Sequence, residues 1–483
     1  MNNTIETVEV PAEPLKEKKP VSWQKIAAIC LATILAVGLG VAVTLELINR
    51  NNNQDTSGTS SVTEYVADSD SSEESSDSYF DTAPTYTLEL KDGENLINKP
   101  GVYTVTGSTS NGYIHINTDE EKVKLILTNT TIKNTSGPAI YVESNKNVHI
   151  ETVGTNTLEA TPTEDLDGAI YSKADLVFKG DGTLNITSSI DGIHGTDDVK
   201  IKSGTINVTA KEDGIKGKDA LIIKGGGITV SAGDDALKAS NDTEEGKGIL
   251  TINDGTINIT KSNEGLEAVQ IVITGGNISV VSSDDGINAA GDNCSSNAMS
   301  PTGNASLTSC KLAISGGEVK VNAAGDGLDA NGSIYLSGGT VYVDGPSNSG
   351  NGALDYDGVF EISGGTIIAT GMSGMALNAS SATQGSALIN LSQTYAAGST
   401  VTIGDVSFAP TKSFNSVMVS SSALKKGESY DLKVNGETVQ TVEFTDYLVG
   451  SGMGGGPAGQ GGGQMGPGNQ QGAQPQENRR RMQ

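Results

Sequence analysis

An acidic residue, a small residue and an aliphatic residue recur together about every 22 residues through the middle of the chain. The copies are Asp191-Gly192-Ile193, Asp213-Gly214-Ile215, Asp235-Ala236-Leu237, Glu264-Gly265-Leu266, Asp285-Gly286-Ile287 and Asp326-Gly327-Leu328. A second phrase alternates with them: Ser203-Gly204-Thr205-Ile206, Asp254-Gly255-Thr256-Ile257, Gly275-Gly276-Asn277-Ile278, Gly338-Gly339-Thr340-Val341 and Gly364-Gly365-Thr366-Ile367. Self-similarity at this period marks a solenoid in which each repeat is one coil stacked on its neighbours. Repeats this short exclude paired-helix solenoids, and Val, Ile and Thr with frequent Gly specify strands and turns. The expected fold is all-β, a parallel β-helix with three strands per coil.

The strands are legible from their alternation. Leu184 and Ile186 flank Asn185, Ile206 and Val208 flank Asn207, and Ile257 and Ile259 flank Asn258. Period-2 alternation sends the aliphatics inward and the Asn and Thr residues outward. A second strand precedes each glycine turn, as in Leu221/Ile223 and Ile271/Ile273, and a third, very short one carries the inward aliphatic of the acidic phrase. With the less regular early coils, the β-helix is expected over residues 85–400, about a dozen coils, and a β cap over 401–449.

The ends have their own texture. Ile26 to Ile48 is an apolar run long enough to span a bilayer, preceded by Lys16, Lys18, Lys19 and Lys25 and followed closely by Arg50 alone. The expectation is a cytoplasmic segment (1–25), an uncleaved transmembrane anchor (26–48) with a cleaved signal peptide as its rival, a polar disordered linker (49–84) and an extracellular rod at the cell membrane. From residue 450 the chain is Gly, Gln, Met and Pro, a composition that cannot bury a core. Cys294 and Cys310 bracket an insertion that stretches one coil, and an extracellular disulfide between them is expected.

The chain carries 58 acidic and 31 basic residues, net −27, which argues against a nucleic-acid partner. Placement says more than the total. Equivalent residues on successive coils lie about 5 Å apart, and two like charges at that distance repel by about 3 kcal/mol at an effective dielectric near 20. Three residues beyond each acid of the repeated phrase stand His194, Lys216 and Lys238 in early coils, then Glu267, Asn288 and Asp329. Glu264, Glu267, Asp284, Asp285, Asp326, Asp329, Asp355 and Asp357 therefore accumulate where no lysine lies in the phrase. Clustered carboxylates with Asn and backbone carbonyls are Ca²⁺ chemistry, since that ion takes six to eight oxygens. The competing account is that Asp-Gly pairs only make turns. Asn185, Asn207 and Asn258 form a polar ladder suited either to hydrogen bonding along the stack or to an extended polysaccharide.

The combined Asp-Gly-Ile/Leu and Ser-Gly-Gly-Thr-Ile phrases, the anchor, the strand cap near Leu424-Lys425-Lys426-Gly427 and the Gly/Met tail resemble a carbohydrate-binding parallel β-helix family of clostridial-type surface proteins, akin in structure to pectate lyases. The resemblance covers roughly residues 85–450. It implies a right-handed β-helix that binds Ca²⁺ and plant cell-wall polysaccharide, including polygalacturonate and cellulose, without established catalysis. The sole tryptophan, Trp23, precedes the apolar run, so Tyr335, Tyr342 and Tyr356, expected to cluster across adjacent coils, are the candidates for stacking on sugar rings. The sequence reading is thus a surface-held, Ca²⁺-dependent binder of acidic glycans with no catalytic residues. Its rivals are a polysaccharide lyase using Lys216 or Lys238 as base, and a non-catalytic adhesin or spacer. In the binding reading the same two lysines contact the ligand.

Overall fold

A computed structural model describes residues 78–119, 122–291, 294 and 310–450. Their fold is a parallel β-helix whose coils are built from three sheets, here called A, B and C. Sheet B, with eleven strands, holds the short strands of the acidic phrase, such as Asp191–Gly195, Ile215–Gly217 and Leu237–Ala239. Sheet C holds the strands after the glycine phrase, such as Thr183–Ser188 and Thr205–Thr209. Sheet A holds those before it, such as Ala220–Ile223. The solenoid has about ten turns, slightly fewer than the dozen coils expected from the phrase count.

Parallel, in-register pairing turns every position of the coil into a column along the rod. Sheet B contributes the interior column Ile193, Ile215, Leu237, Leu266, Ile287, Leu328 and Leu354, all buried. Sheet C contributes Leu184, Ile206, Ile228, Ile257, Ile278, Val319, Val341 and Ile367. Each such aliphatic contributes about 1.5–3 kcal/mol by leaving water. Alternation in sequence is thus the direct cause of the narrow aliphatic core.

The glycines of the two phrases answer different demands. Gly339 and its equivalents sit at positive φ (77° at Gly339), the left-handed turn that other residues resist. Gly192 has no such φ; a Cβ there would overlap Val208 Cγ1 and the carbonyl oxygen of Gly214 on the next coil. The acidic phrase therefore carries a small residue so that sheet B can close against sheet C.

The parallel register ends at Thr366–Gly371, where Phe414–Ser421 pairs antiparallel with it and in turn with Gly385–Tyr395. A four-stranded antiparallel sheet, including Ser429–Val434 and Glu437–Glu443, completes the end. The cap therefore begins before residue 401 and packs around its own cluster of Phe414, Val417, Val419, Leu432 and Phe444. Cys294 and Cys310 are joined by a disulfide, their Cα atoms 5.3 Å apart. Among the described residues no helix is long and apolar enough to cross a membrane. The expected anchor, linker and tail (26–48, most of 49–84, and 451–483) lie outside the described residues.

Candidate functional site: the outer face of sheet B

The outward position of sheet B reads, coil by coil, His115, Tyr141, Tyr171, His194, Lys216, Lys238, Glu267, Asn288, Asp329 and Asp355. Beside it runs the column of phrase acids from Asp191 to Asp326. Aromatic rings thus occupy one end of the face, cations its middle and carboxylates the far end.

One oxygen of several phrase acids serves the stack itself. The amide of Asp213 donates to Asp191 Oδ1 (2.9 Å), that of Asp235 to Asp213 Oδ1 (3.2 Å) and that of Asp326 to Asp285 Oδ1 (2.6 Å). Gly352 donates its amide to Asp326 Oδ1 (2.5 Å). The turn-forming account of the Asp-Gly pairs is therefore part of the truth: these carboxylates staple each coil to the next. Their second oxygens remain for charge partners.

In the middle coils the partners are lysines. Lys216 Nζ donates to Asp191 Oδ2 (2.6 Å) and Asp213 Oδ2 (2.9 Å), bridging two coils. Lys238 Nζ meets Asp235 Oδ2 and Glu267 Oε2, each at 2.5 Å. Burial alone would lower a lysine's pKa, yet the paired carboxylates hold both ammonium groups above the ordinary range. Burial pushes Asp191 up to about 6, against the pull of Lys216. His194 Nδ1 bonds Asp167 Oδ1 and lies 3.6 Å from Asp191 Oδ2.

Among the described residues, no lysine, arginine or histidine forms an ion pair with Asp284, Asp285, Asp326, Asp329, Asp355 or Asp357. Burial, then the charges of Asp285, Asp326, Asp355 and Asp357, raise Asp329 to about 8. Burial, with Asp285 and Asp355, raises Asp326 to about 6, and burial also raises Asp285. Glu264 is pushed to about 7 by burial, although Asn288 Nδ2 donates to its Oε2 (2.7 Å).

Two local features accompany these acids. Asn288 is 8% exposed, and its Oδ1 is buried without a hydrogen-bond partner. That orphaned oxygen stands between Glu267 and Asp329 in the outward column. Gly325 leaves open the space where a Cβ would meet Oδ1 of both Asp284 and Asp285. Clustered carboxylate and amide oxygens without an ion-paired cation among the described residues fit a hard, oxygen-loving cation. As built, the tighter groupings are elsewhere: Asp167/Asp191/His194, Asp213/Asp234/Asp235 and Asp235/Glu264/Glu267 each bring three ligand atoms within 4.8 Å.

The expected ligand set therefore divides. Glu264 and Glu267 belong with Asp235, with Lys238 already on Asp235 and Glu267, whereas Asp285, Asp326, Asp329 and Asp355 share an uncompensated field with Asp284 and Asp357 at its edge. The tyrosine expectation is corrected outright. Tyr335 lies on sheet A, Tyr342 on sheet C against Phe408 of the cap (5.6 Å), and Tyr356 on sheet B, its hydroxyl donating to Asn378 O (2.6 Å). Closeness in sequence put them on three faces of the same few coils, because each coil turns through all three sheets. Of the polar ladder, Asn207 Nδ2 donates to Asn185 Oδ1 (2.9 Å), and Thr229 stands between Asn207 and Asn258 in register.

The rings on sheet B escaped the sequence reading. Their signal was an aromatic between aliphatics, Ile114-His115-Ile116, Ile140-Tyr141-Val142 and Ile170-Tyr171, at the place Lys216 and Lys238 take in later copies.

Comparison with known proteins joins this geometry to a family. A protein of Acetivibrio thermocellus described as a carbohydrate-binding domain-containing protein is 31% identical over 126 residues, 24% of this chain and 44% of that protein. The matched stretch is thus less than half of that relative's length. A solved structure, the polysaccharide lyase-like protein from C. thermocellum in a gadolinium derivative, shares 28% identity with a TM-score of 0.36, over 43% of this chain and 92% of that one. The family model for carbohydrate-binding domain-containing proteins matches residues 91–352, more than half of the 483, and the chain belongs to that family.

Proposed function

We propose that the protein is a non-catalytic receptor for polysaccharide, binding acidic glycans such as polygalacturonate along sheet B in a calcium-dependent manner. Family membership supports the general class, polysaccharide. The observation that carries the finer reading is the patch of Asp285, Asp326, Asp329 and Asp355, which has no ion-paired cation among the described residues, beside the orphaned Asn288 Oδ1. Asp285, Asp326, Asp329 and Asn288 would hold the ion; Oδ1 of Asp285 and of Asp326 is already fixed by an amide of the next coil. Bound there, calcium would neutralise the carboxylates and offer open coordination positions to the carboxylates of a uronate chain. Without a cation, the same face repels an acidic polymer.

The lyase alternative asks Lys216 or Lys238 to act as a base. A base must be neutral, and each of these ammonium groups is held protonated by two carboxylates. Residues 26–48 fit the role of a membrane anchor that displays the rod outside the cell. The deciding experiment is affinity electrophoresis of the protein through polygalacturonate with calcium or with chelator. Retardation that vanishes with chelator is expected; retardation indifferent to chelator, or none in either gel, refutes the calcium-dependent reading.

A further inference from the structure

Sheet A has an outward column of a different kind. Lys124, His149, Val177, Lys200, Ile222 and Thr251 hold one register position on successive strands. Their neighbours within each strand, such as Leu176 and Phe178 beside Val177, point into the core, so the column points out. Outward positions of a solenoid ordinarily meet water, yet Val177, Lys200 and Ile222 are 5, 6 and 7% exposed. At the amino-terminal end the cover is visible. The ring of Phe80, buried, lies 4.8 Å from that of His149, and Lys124 Nζ sits 4.8 Å over it. Tyr79 packs on Phe80 (5.3 Å), with Lys122 Nζ 5.7 Å over its own ring. The stretch expected to be linker as far as residue 84 is thus already seated on sheet A at residues 79 and 80. Further along, among the described residues, no strand of another sheet or of the cap lies over Val177, Lys200 and Ile222. Two residues beyond each of these stand Lys179, Lys202 and Lys224, a row along the rod. These lysines and Lys200 already take part in interactions, and what the row offers an acidic segment is its summed field. The acids of this face are Glu151, in register with Lys179 and 3.8 Å from Lys124, and Asp175, Asp197, Asp198 and Asp219, which precede the column. Lys247 holds Asp219 (2.7 Å).

We propose that residues 69–77 dock along this face as a strap, their acids against the lysine row and their serines over Val177 and Ile222. The segment reads Ser69-Asp70-Ser71-Ser72-Glu73-Glu74-Ser75-Ser76-Asp77, acidic throughout and without a base. It ends at Ser78, immediately before the residues already seated on the sheet. Direction favours the docking. Thr85–Glu89 is the outermost strand of sheet A, followed inward by Gly101–Thr106 and then by the strands of Lys124 and His149. Traced backward from Thr85, the chain has therefore advanced along the rod to reach Phe80. A segment that continues the same way meets Val177, Lys200 and Ile222 next. Length suffices: His149 to Thr251 is four strand spacings, ~19 Å, and an extended nine-residue segment spans up to about 30 Å. Charge is complementary, acids on the strap to lysines on the rod. Serine side chains are small enough to lie flat on the narrow apolar column between them. The docking does not depend on what the rod binds. It fixes the face from which the preceding chain departs, and it closes the lysine row of sheet A to other acidic polymers.

Zero-length carbodiimide cross-linking of the full-length chain in detergent, read by mass spectrometry, tests the strap. Amide links from Asp70, Glu73, Glu74 or Asp77 to Lys179, Lys202 or Lys224 are expected, and Lys133 on sheet C serves as the control. Molar salt, which shortens the screening length to about 3 Å, should suppress them. Asp70→Asn, Glu73→Gln, Glu74→Gln and Asp77→Asn together should raise the acetylation rate of Lys202 and Lys224 about fivefold, a modest factor because exposed ion pairs are individually weak. Lys202→Glu with Lys224→Glu should abolish the links to those positions, and adding Asp70→Lys with Glu74→Lys should restore them with the charges exchanged. Absence of the links, or links to Lys133 as frequent as those to the row, overturns the proposal. So does unchanged acetylation in the fourfold variant. Cross-linking a mixture of isotopically heavy and light protein separates the two sources of a strap: links within one copy support the proposal, and links found chiefly between copies refute it.

Discussion

Replacing Lys216 with methionine isolates how the column holds its charge. The ammonium group bridges Asp191 and Asp213 on adjacent coils, with side chains 15%, 1% and 8% exposed respectively. Removing one partner of a buried pair costs about 3–5 kcal/mol, because the remaining charge stays desolvated and unpaired. Here two carboxylates are left on adjacent rungs, so the upper part of that range is expected at pH 8. The loss must depend on pH. Asp191 already has a folded pKa raised to about 6, and without Lys216 it rises further. A carboxyl whose folded pKa exceeds its unfolded value stabilises the fold most below the unfolded value, and that stabilisation is lost as pH rises through the folded one. The deficit of Lys216→Met should therefore shrink to about 1–2 kcal/mol at pH 5, where protonation removes one of the two charges. Urea unfolding followed by far-ultraviolet circular dichroism at both pH values measures it. Adding Asp191→Asn and Asp213→Asn to the variant should restore most of the stability at pH 8, since an amide oxygen still accepts from the next coil's backbone. A deficit equal at pH 5 and pH 8, or a triple variant less stable than Lys216→Met, would show that the lysine acts through packing and not charge.

Two further outcomes follow from the acidic end and the middle of the face. Calcium at a hundred times its dissociation constant should stabilise the fold by about 2.7 kcal/mol, so chelator should lower the melting temperature, and Asp285→Asn with Asp326→Asn should remove most of that shift; melting indifferent to both calcium and chelator sinks the metal assignment. Incubation with polygalacturonate and calcium at alkaline pH should give no rise in the absorbance of unsaturated uronate ends, whereas steady product formation abolished by Lys216→Ala or Lys238→Ala would establish a lyase.

The solenoid was legible in the sequence because a parallel stack repeats its demands. Each coil needs an inward aliphatic on every sheet, a left-handed glycine such as Gly339 at one corner and a small residue such as Gly192 where sheet B meets sheet C. These three constraints recur at fixed spacing, so they print a phrase. Where the stack stops, so does the print: the cap's antiparallel pairing of Phe414–Ser421 with Gly385–Tyr395 left no repeat, and its start was placed too late. Charge pairing was only half legible. Lys216 pairs with Asp213 three residues before it, which sequence suggests, but also with Asp191 a coil earlier. Lys238 reaches forward to Glu267, a residue that composition alone marks as an unpaired metal ligand. Cross-coil partners depend on register between repeats of unequal length, and the phrase does not encode that. The ring ladder was missed for a related reason. Its members occupy the lysine position of the phrase, but in coils whose phrase is degenerate, so aligning the repeats backward from His194 was the one available signal.

In-register stacking also explains why one face can carry several chemistries in sequence. Each outward position has one neighbour above and one below at ~4.8 Å, so a residue type is tolerated only if its neighbours attract it, stack on it or leave its charge to another partner. Rings satisfy this by stacking, as His115 does on Tyr141. Lys216 and Lys238, adjacent like charges, satisfy it because each holds two carboxylates from the parallel acidic column and its neighbour coil. Asn288 is the point at which the pattern changes, with a donor turned to Glu264 and a bare oxygen left beside the acids. Beyond it, Asp329 and Asp355 are adjacent like charges with no ion-paired cation among the described residues. The stack therefore neutralises its own middle and, among the described residues, leaves its acidic end without an ion-paired cation. This asymmetry, more than the net charge of the chain, is what turns a repeating scaffold into a surface with a direction.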